Sequence, residues 1–264
     1  MTFQDSAAAI TVNGIKVEAI EKGRGRPLLF LHPGIGLDRN APAIDKLAGH
    51  ARVIAPSHPG FGNSEQPKSF TTVDDLAYSY LDLLDDLDLK DTIVVGVSLG
   101  AWIAAEIAIK STARLSHLVL ANAVGIKVGA RDTRDIVDIF AITEPELNTL
   151  AYFDPKLGER DYKAMAEADV RVIARNREAS ARYGWSPYMH DPKLKSRLHR
   201  IRIPTLFLWG TADRILTEEY GRAYCAAIPG ARFETIARAG HYPHIEQPDA
   251  FARAIFAFTQ GQTK

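Results

Sequence analysis

The chain has 264 residues, 46% of them hydrophobic, and 32 Lys+Arg balance 32 Asp+Glu to a formal net charge of zero. That balance gives no electrostatic footprint for nucleic acid or an anionic membrane surface. The single cysteine, Cys225, excludes an internal disulfide framework and fits a reducing compartment.

The opening residues Met1-Thr2-Phe3-Gln4-Asp5 show no basic stretch with an apolar run behind it, so no signal peptide is expected. No apolar run reaches the roughly 18 residues that span a bilayer, and the expectation is a cytoplasmic globular protein. "ITVNGIKVEAI" places two alternating segments around Asn13-Gly14, a strong hairpin signal. Residues 27–33 read as a strand, 41–49 as a helix and 51–57 as a strand. Residues 71–89 read as a helix with threonines and aspartates at its start. Residues 92–98 and 115–123 are again strands, with a helix opening at Ser98 between them. Strands that are apolar throughout and spaced by helices imply an α/β fold with a mostly parallel central sheet, flanked by helices on both faces.

The alternation breaks between about 124 and 200, where helices are expected over 132–142, 144–152 and 159–183, and another from Asp191-Pro192. It resumes with strands at 204–210 and 232–238, a helix from about 217 and a last helix after Pro248. The division expected is a core over 1–123, a helical insertion over 124–200 and a second core part over 201–264.

Chemistry concentrates at three places. "GVSLG" (96–100) sets Ser98 on a sharp strand-to-helix bend, where flanking glycines are needed because side chains would collide with the neighbouring strand and helix. A serine hydroxyl is a weak nucleophile that needs a base, itself oriented by an acid. His241, in the loop after the last strand, and Asp213, just past the preceding strand, supply them in the order Ser98, Asp213, His241. His244 is read as structural, since "HYPH" lacks the HExxH order and no acidic partner at metal spacing accompanies it.

With its nucleophile elbow, its acid loop and its "GHxxxxExP" segment at His241–Pro248, the chain resembles the α/β-hydrolases over about 10–123 and 200–262. The resemblance implies an oxyanion hole from the N–H groups of Leu99 and Gly34, with Ile35 as the fallback. Proline stands in "FLHPGIG" where the family has a first glycine, and Ser57 stands in "PSHPGFGNSEQP" where aspartate is common. That second segment reads as a structural turn cluster. The insertion then lies where the family carries a cap. Tyr162, Met165, Val172, Ile173 and Tyr183 share one helix face with Asn176, while Arg171, Arg175 and Arg182 mostly fall on the opposite face. Asn176, Trp185, Tyr188, Tyr242 and Ile35 are the candidate pocket residues.

Together these imply a serine esterase acting, without metal or cofactor, on a small to medium, largely apolar small-molecule substrate. Carbon–carbon, lactone or amide hydrolysis with the same triad, or a low-turnover receptor, are the alternatives. Of oligomeric state the sequence says nothing.

Overall fold

The computed structural model describes residues 7–38, 42–130 and 132–261; the first five residues read above lie outside this range. The hairpin forms as β1 (Ala7–Val12) and β2 (Ile15–Lys22), in register Val12 to Ile15. Asn13 and Gly14, at φ 45° and 82°, make the turn, the double left-handed geometry that Asn-Gly favours. Then follow β3 (Pro27–Leu31), α1 (Pro42–Ala48), β4 (Arg52–Pro56), α2 (Val73–Asp86), β5 (Thr92–Val97), α3 (Leu99–Lys110) and β6 (Leu115–Ala121). A capping box starts α2: Thr72 Oγ1 accepts from the Asp75 N–H and the Asp75 carboxylate accepts from the Thr72 N–H.

After the insertion come β7 (Thr205–Gly210), a helix at Glu218–Ala226, β8 (Arg232–Ile236), a single turn at Pro243–Glu246 and a last helix at Pro248–Gln260. The eight strands form one sheet in the order β1-β2-β4-β3-β5-β6-β7-β8, parallel from β4 onward. Helices α2 and α3 cover one face of it, and α1 and the last helix the other. This is the α/β architecture the sequence implies. The strand order reverses at β3 and β5, so the loops leaving those two neighbours open a crevice at the carboxyl edge.

The insertion departs from expectation in three places. Residues 132–142 form turns and not a helix, because Asp135 takes the N–H groups of Val128 and Gly129 and the Lys127 ammonium, while the Val137 N–H bonds Ile215 O. Tertiary bonds outweigh the modest helix propensity there. The helix at Glu144–Ala151 (α4) forms behind a second capping box, Thr143 with Glu146. The long helix, α5, spans Glu167–Gly184 and not 159–183. Arg160 and Tyr162 instead bond the Glu144 carboxylate, at 3.0 and 2.8 Å, so Tyr162 and Met165 are not on the face of α5. After Asp191-Pro192 come two short turns and no long helix, an α-helical one at Leu194–Arg197 and a 3-10 one at Leu198–Arg200. Among the described residues no helix is long and apolar enough to cross a membrane.

Candidate active site

Ser98 sits at the end of β5 with φ 54° and ψ −113°, a strained conformation for a residue with a side chain. Its own N–H bonds Ala121 O, and α3 begins at the next residue. The bend is sharp because nothing fills it: a Cβ at Gly96 would lie 2.3 Å from Gly100 O, and one at Gly100 2.1 Å from Leu31 O. The elbow therefore holds Oγ at the sheet edge with the N-terminal amides of α3 beside it.

His241 Nε2 lies 2.8 Å from Ser98 Oγ, and its Nδ1 lies 2.8 Å from Asp213 Oδ2. Both partner side chains are almost wholly buried, at 4% exposure for His241 and 0% for Asp213. The acid is fixed on every side: its Oδ1 accepts the N–H groups of Ile215 and Leu216, and its Oδ2 also accepts from Asn122 Nδ2 at 2.7 Å. Asn122 in turn takes the Gly210 N–H on its Oδ1. The residue at the tip of β6 thus orients the acid at the tip of β7. From sequence Asn122 tells only that no carboxylate stands at the tip of β6, which favours Asp213 as the acid; an asparagine after a strand carries no signal of this orienting role.

The glutamate of the "GHxxxxExP" segment has an equally specific task. Glu246 accepts the Gly240 N–H at 2.5 Å, and the Phe153 and Asp154 N–H groups at 2.8 and 3.1 Å. The His241 N–H itself bonds Ala151 O, the last residue of α4. The loop carrying the base is tied to the roof of the site.

That roof encloses an open-mouthed cavity of about 1030 Å³, the solvent at its mouth included, over Ser98 and His241. Leu99, Gly34 and Ile35 line its floor, Ile173 and Ser180 of α5 and Leu147 of α4 line its roof, and Tyr188 and Tyr242 close its sides. Ser180 stands tight against the floor loop, since a Cβ on Gly34 would meet its Oγ at 2.6 Å. Of the candidate pocket residues, Trp185 does not belong. It is 58% exposed and packs edge-on against Phe140, outside this cavity.

Asn176 borders the cavity, but its amide is committed: Nδ2 donates to Ile35 O at 3.1 Å and Oδ1 accepts the Gly62 N–H at 2.8 Å. Arg175, expected on the solvated face, turns to the core and donates to the Gly60 and Ser64 carbonyls. Arg177 stands at the cavity mouth over the Phe140 ring, 5.5 Å from its centre, and among the described residues no carboxylate pairs with it.

Three further histidines are buried near the site. Burial lowers His32 to about 4 and His244 to about 3, and holds His58 well below its ordinary value; neighbouring histidines depress His58 and His244 further. His244 packs among Phe30, Tyr242 and Phe251 with no partner for its Nδ1. Among the described residues no group of three His, Cys, Asp or Glu side chains could hold a metal ion.

The buried histidines bear on acid stability. Each binds a proton near pH 6.5 when unfolded but only well below that when folded, so the unfolded state gains protons first as pH falls. Stability is fully present above about pH 6.5 and is lost on acidification toward pH 4 and then 3. Each group contributes up to about 1.4 kcal/mol per pH unit. Urea unfolding at pH 7 and pH 5 is expected to show a loss of several kcal/mol between the two; equal midpoints would contradict it.

A family model described as the alpha/beta hydrolase family matches residues 28–254. The 2-hydroxy-6-oxo-2,4-heptadienoate hydrolase of Pseudomonas putida is 27% identical over 262 residues, covering 94% of each chain. Among solved structures, the 2-hydroxy-6-oxo-6-phenylhexa-2,4-dienoate hydrolase of a Rhodococcus superposes with a TM-score of 0.77 at 20% identity, over 96% of this chain and 97% of the other. A thermophilic esterase from Thermogutta terrifontis, with malate bound, gives 0.74 at 24% identity over 96% and 98%.

Proposed function

Because the chain belongs to the alpha/beta hydrolase family, we propose that it is a serine hydrolase that cleaves a carboxylic ester of small to medium, largely apolar character. The observation that carries this reading is the unbroken path from Asp213 Oδ2 through His241 to Ser98 Oγ, both links 2.8 Å, opening into an apolar cavity. Ser98 Oγ attacks the carbonyl carbon as its proton passes to His241 Nε2. The oxyanion that forms is held by the Leu99 and Gly34 N–H groups. His241 returns the proton to the leaving alcohol and the acyl group stays on Ser98. Water then gives a proton to His241 as its oxygen attacks the acyl carbon, and collapse restores the serine hydroxyl. Asp213 orients the imidazole and stabilises the imidazolium.

A second reading has a specific observation in its favour. Arg177, a cation at the cavity mouth with no carboxylate partner among the described residues, suits a substrate bearing a carboxylate. The Pseudomonas relative is a hydrolase named for a heptadienoate, and in that reaction class the triad would cleave a carbon–carbon bond beside a carbonyl. The choice is tested by offering p-nitrophenyl acetate and butyrate beside a 2-hydroxy-6-oxodienoate, and following nitrophenolate release and loss of the dienoate absorbance. Sustained ester turnover with an inert dienoate is the expected result; the reverse ratio would replace the ester reading with the second. A single stoichiometric burst on both would instead mark a receptor that keeps its triad.

A further inference from the structure

Beneath the floor of the cavity the two rings of His32 and His58 stack 3.6 Å apart, with Phe61 edge-on to both. Neither histidine touches the triad. The bonds to backbone groups have one permitted direction each, and with both rings neutral these fix both tautomers. The His58 backbone N–H can only donate, so His32 Nε2, 2.9 Å away, accepts; His32 Nδ1 then carries the hydrogen and donates to Pro33 O at 2.7 Å. The His32 carbonyl can only accept, so His58 Nε2, 2.9 Å from it, donates; His58 Nδ1 then accepts from the Tyr80 hydroxyl at 2.5 Å. Every ring nitrogen is satisfied with both imidazoles neutral.

The targets of these bonds are consecutive. His58 grips the carbonyl of residue 32 and His32 grips that of residue 33, while the Gly36 N–H bonds Pro33 O from across the turn at 3.0 Å. In a trans peptide the C=O and the following N–H point in opposite directions. Pinning Pro33 O from one side therefore aims the Gly34 N–H to the other, and Gly34 lines the cavity beside Leu99 and Ser98. A glycine after a turn carbonyl is otherwise the place where a peptide plane rotates most easily.

We propose that His58 and Tyr80 are positioning residues for catalysis: through His32 they lock the Pro33–Gly34 peptide in the one orientation that presents the Gly34 N–H to the oxyanion. The proposal rests on the serine-hydrolase reading, with Gly34 as one of the two donors. It gives a function to His58, the residue after Ser57, and to a buried tyrosine hydroxyl that a helix packed on a sheet does not need. Phenylalanine would fill the same volume on α2.

The test uses the full chain and compares wild type with His58→Leu, His58→Gln and Tyr80→Phe. Gln keeps an N–H donor within reach of the His32 carbonyl; Leu keeps none. Removing one oxyanion donor outright lowers kcat roughly 100- to 1000-fold. His58→Leu is expected to lower kcat about thirtyfold, as the peptide samples both orientations, with KM within about twofold. Affinity for a phenylboronic acid, which forms a tetrahedral adduct on the serine, should fall in parallel with kcat. His58→Gln should recover most of both, and Tyr80→Phe should lie between. A His58→Leu protein with unchanged kcat and boronate affinity overturns the proposal, as does a loss that Gln does not rescue.

Should His58→Leu not fold, the wild type itself decides the matter. A long-range proton–nitrogen correlation spectrum at pH 7 should show one ring protonated only at Nδ1 and one only at Nε2, and the second signal should shift in Tyr80→Phe. Both rings in the same tautomer would overturn it. A wild type unlabelled by a fluorophosphonate would remove the underlying hydrolase reading, an outcome distinct from all of these.

Discussion

Ser98→Ala should lower kcat/KM on any turned-over ester by roughly five to six orders of magnitude, the scale at which loss of a triad nucleophile leaves only binding and the oxyanion hole. The size of the loss follows from geometry. Among the described residues lining the cavity, Ser98 alone brings a hydroxyl within hydrogen-bond distance of His241 Nε2, which Asp213 orients to take its proton. Water replacing the hydroxyl would have neither its fixed distance to Nε2 nor its place on the elbow. Covalent labelling by a fluorophosphonate should vanish with activity. Stability should change little, because alanine inherits the same φ of 54° and leaves no more than a hydroxyl-sized gap at the cavity floor. The thermal midpoint is the control. A variant that melts as wild type and still turns over at more than a hundredth of its rate would refute Ser98 as nucleophile.

The largest structural effect is expected from Gly100→Ala. A methyl group there would lie 2.1 Å from Leu31 O, 2.5 Å from Leu31 C and 2.6 Å from His32 O. All three are backbone atoms of β3 and the loop that carries Gly34, so no side chain can swing away. Either α3 withdraws from the sheet, taking the serine with it, or the oxyanion loop is pushed out. Overpacking of this kind costs about 1–3 kcal/mol where side chains can adjust and more where backbone must move. We expect a loss of at least about 3 kcal/mol in urea unfolding, together with activity reduced more than 100-fold in whatever protein folds. Gly230→Ala is the comparison. Its φ is +73° but the space around it is open, so only the left-handed strain of about 1–2 kcal/mol should appear, with activity retained. If both variants lost equal stability, steric contact at the elbow would not be the reason glycine stands at position 100.

The middle of the sheet was legible because β3 to β7 are apolar runs buried on both faces, a pattern no flanking segment imitates. Ser98, Asp213 and His241 were legible as well, since the bond-making steps demand those residue types at strand ends. What escaped was set by contacts between distant segments. The run 132–142 has helical spacing, yet Asp135 draws the chain into turns by taking two amides and a lysine. Residues 159–166 look continuous with α5 until Glu144 claims Arg160 and Tyr162. Trp185 was chosen as an aromatic near a pocket, but the side of the chain it faces is decided by where Phe140 lies. Asn122, His58 and Tyr80 act through others. Their importance lies in partners 22 to 91 positions away, a separation no local pattern encodes.

The same bonds bear on how a substrate reaches the serine. Helix α4 is fastened to the loop of the base through Ala151 O and Glu246, and α5 is fastened to the loops at 35 and 59–64 through Asn176, Arg175 and Tyr183. Lifting either helix would unseat the loops that carry His241 and Gly34, the groups to which the chemistry is assigned. A chamber tied down on both sides in this way is expected to act as a die and not a jaw, a mould already set for whatever passes its mouth at Arg177.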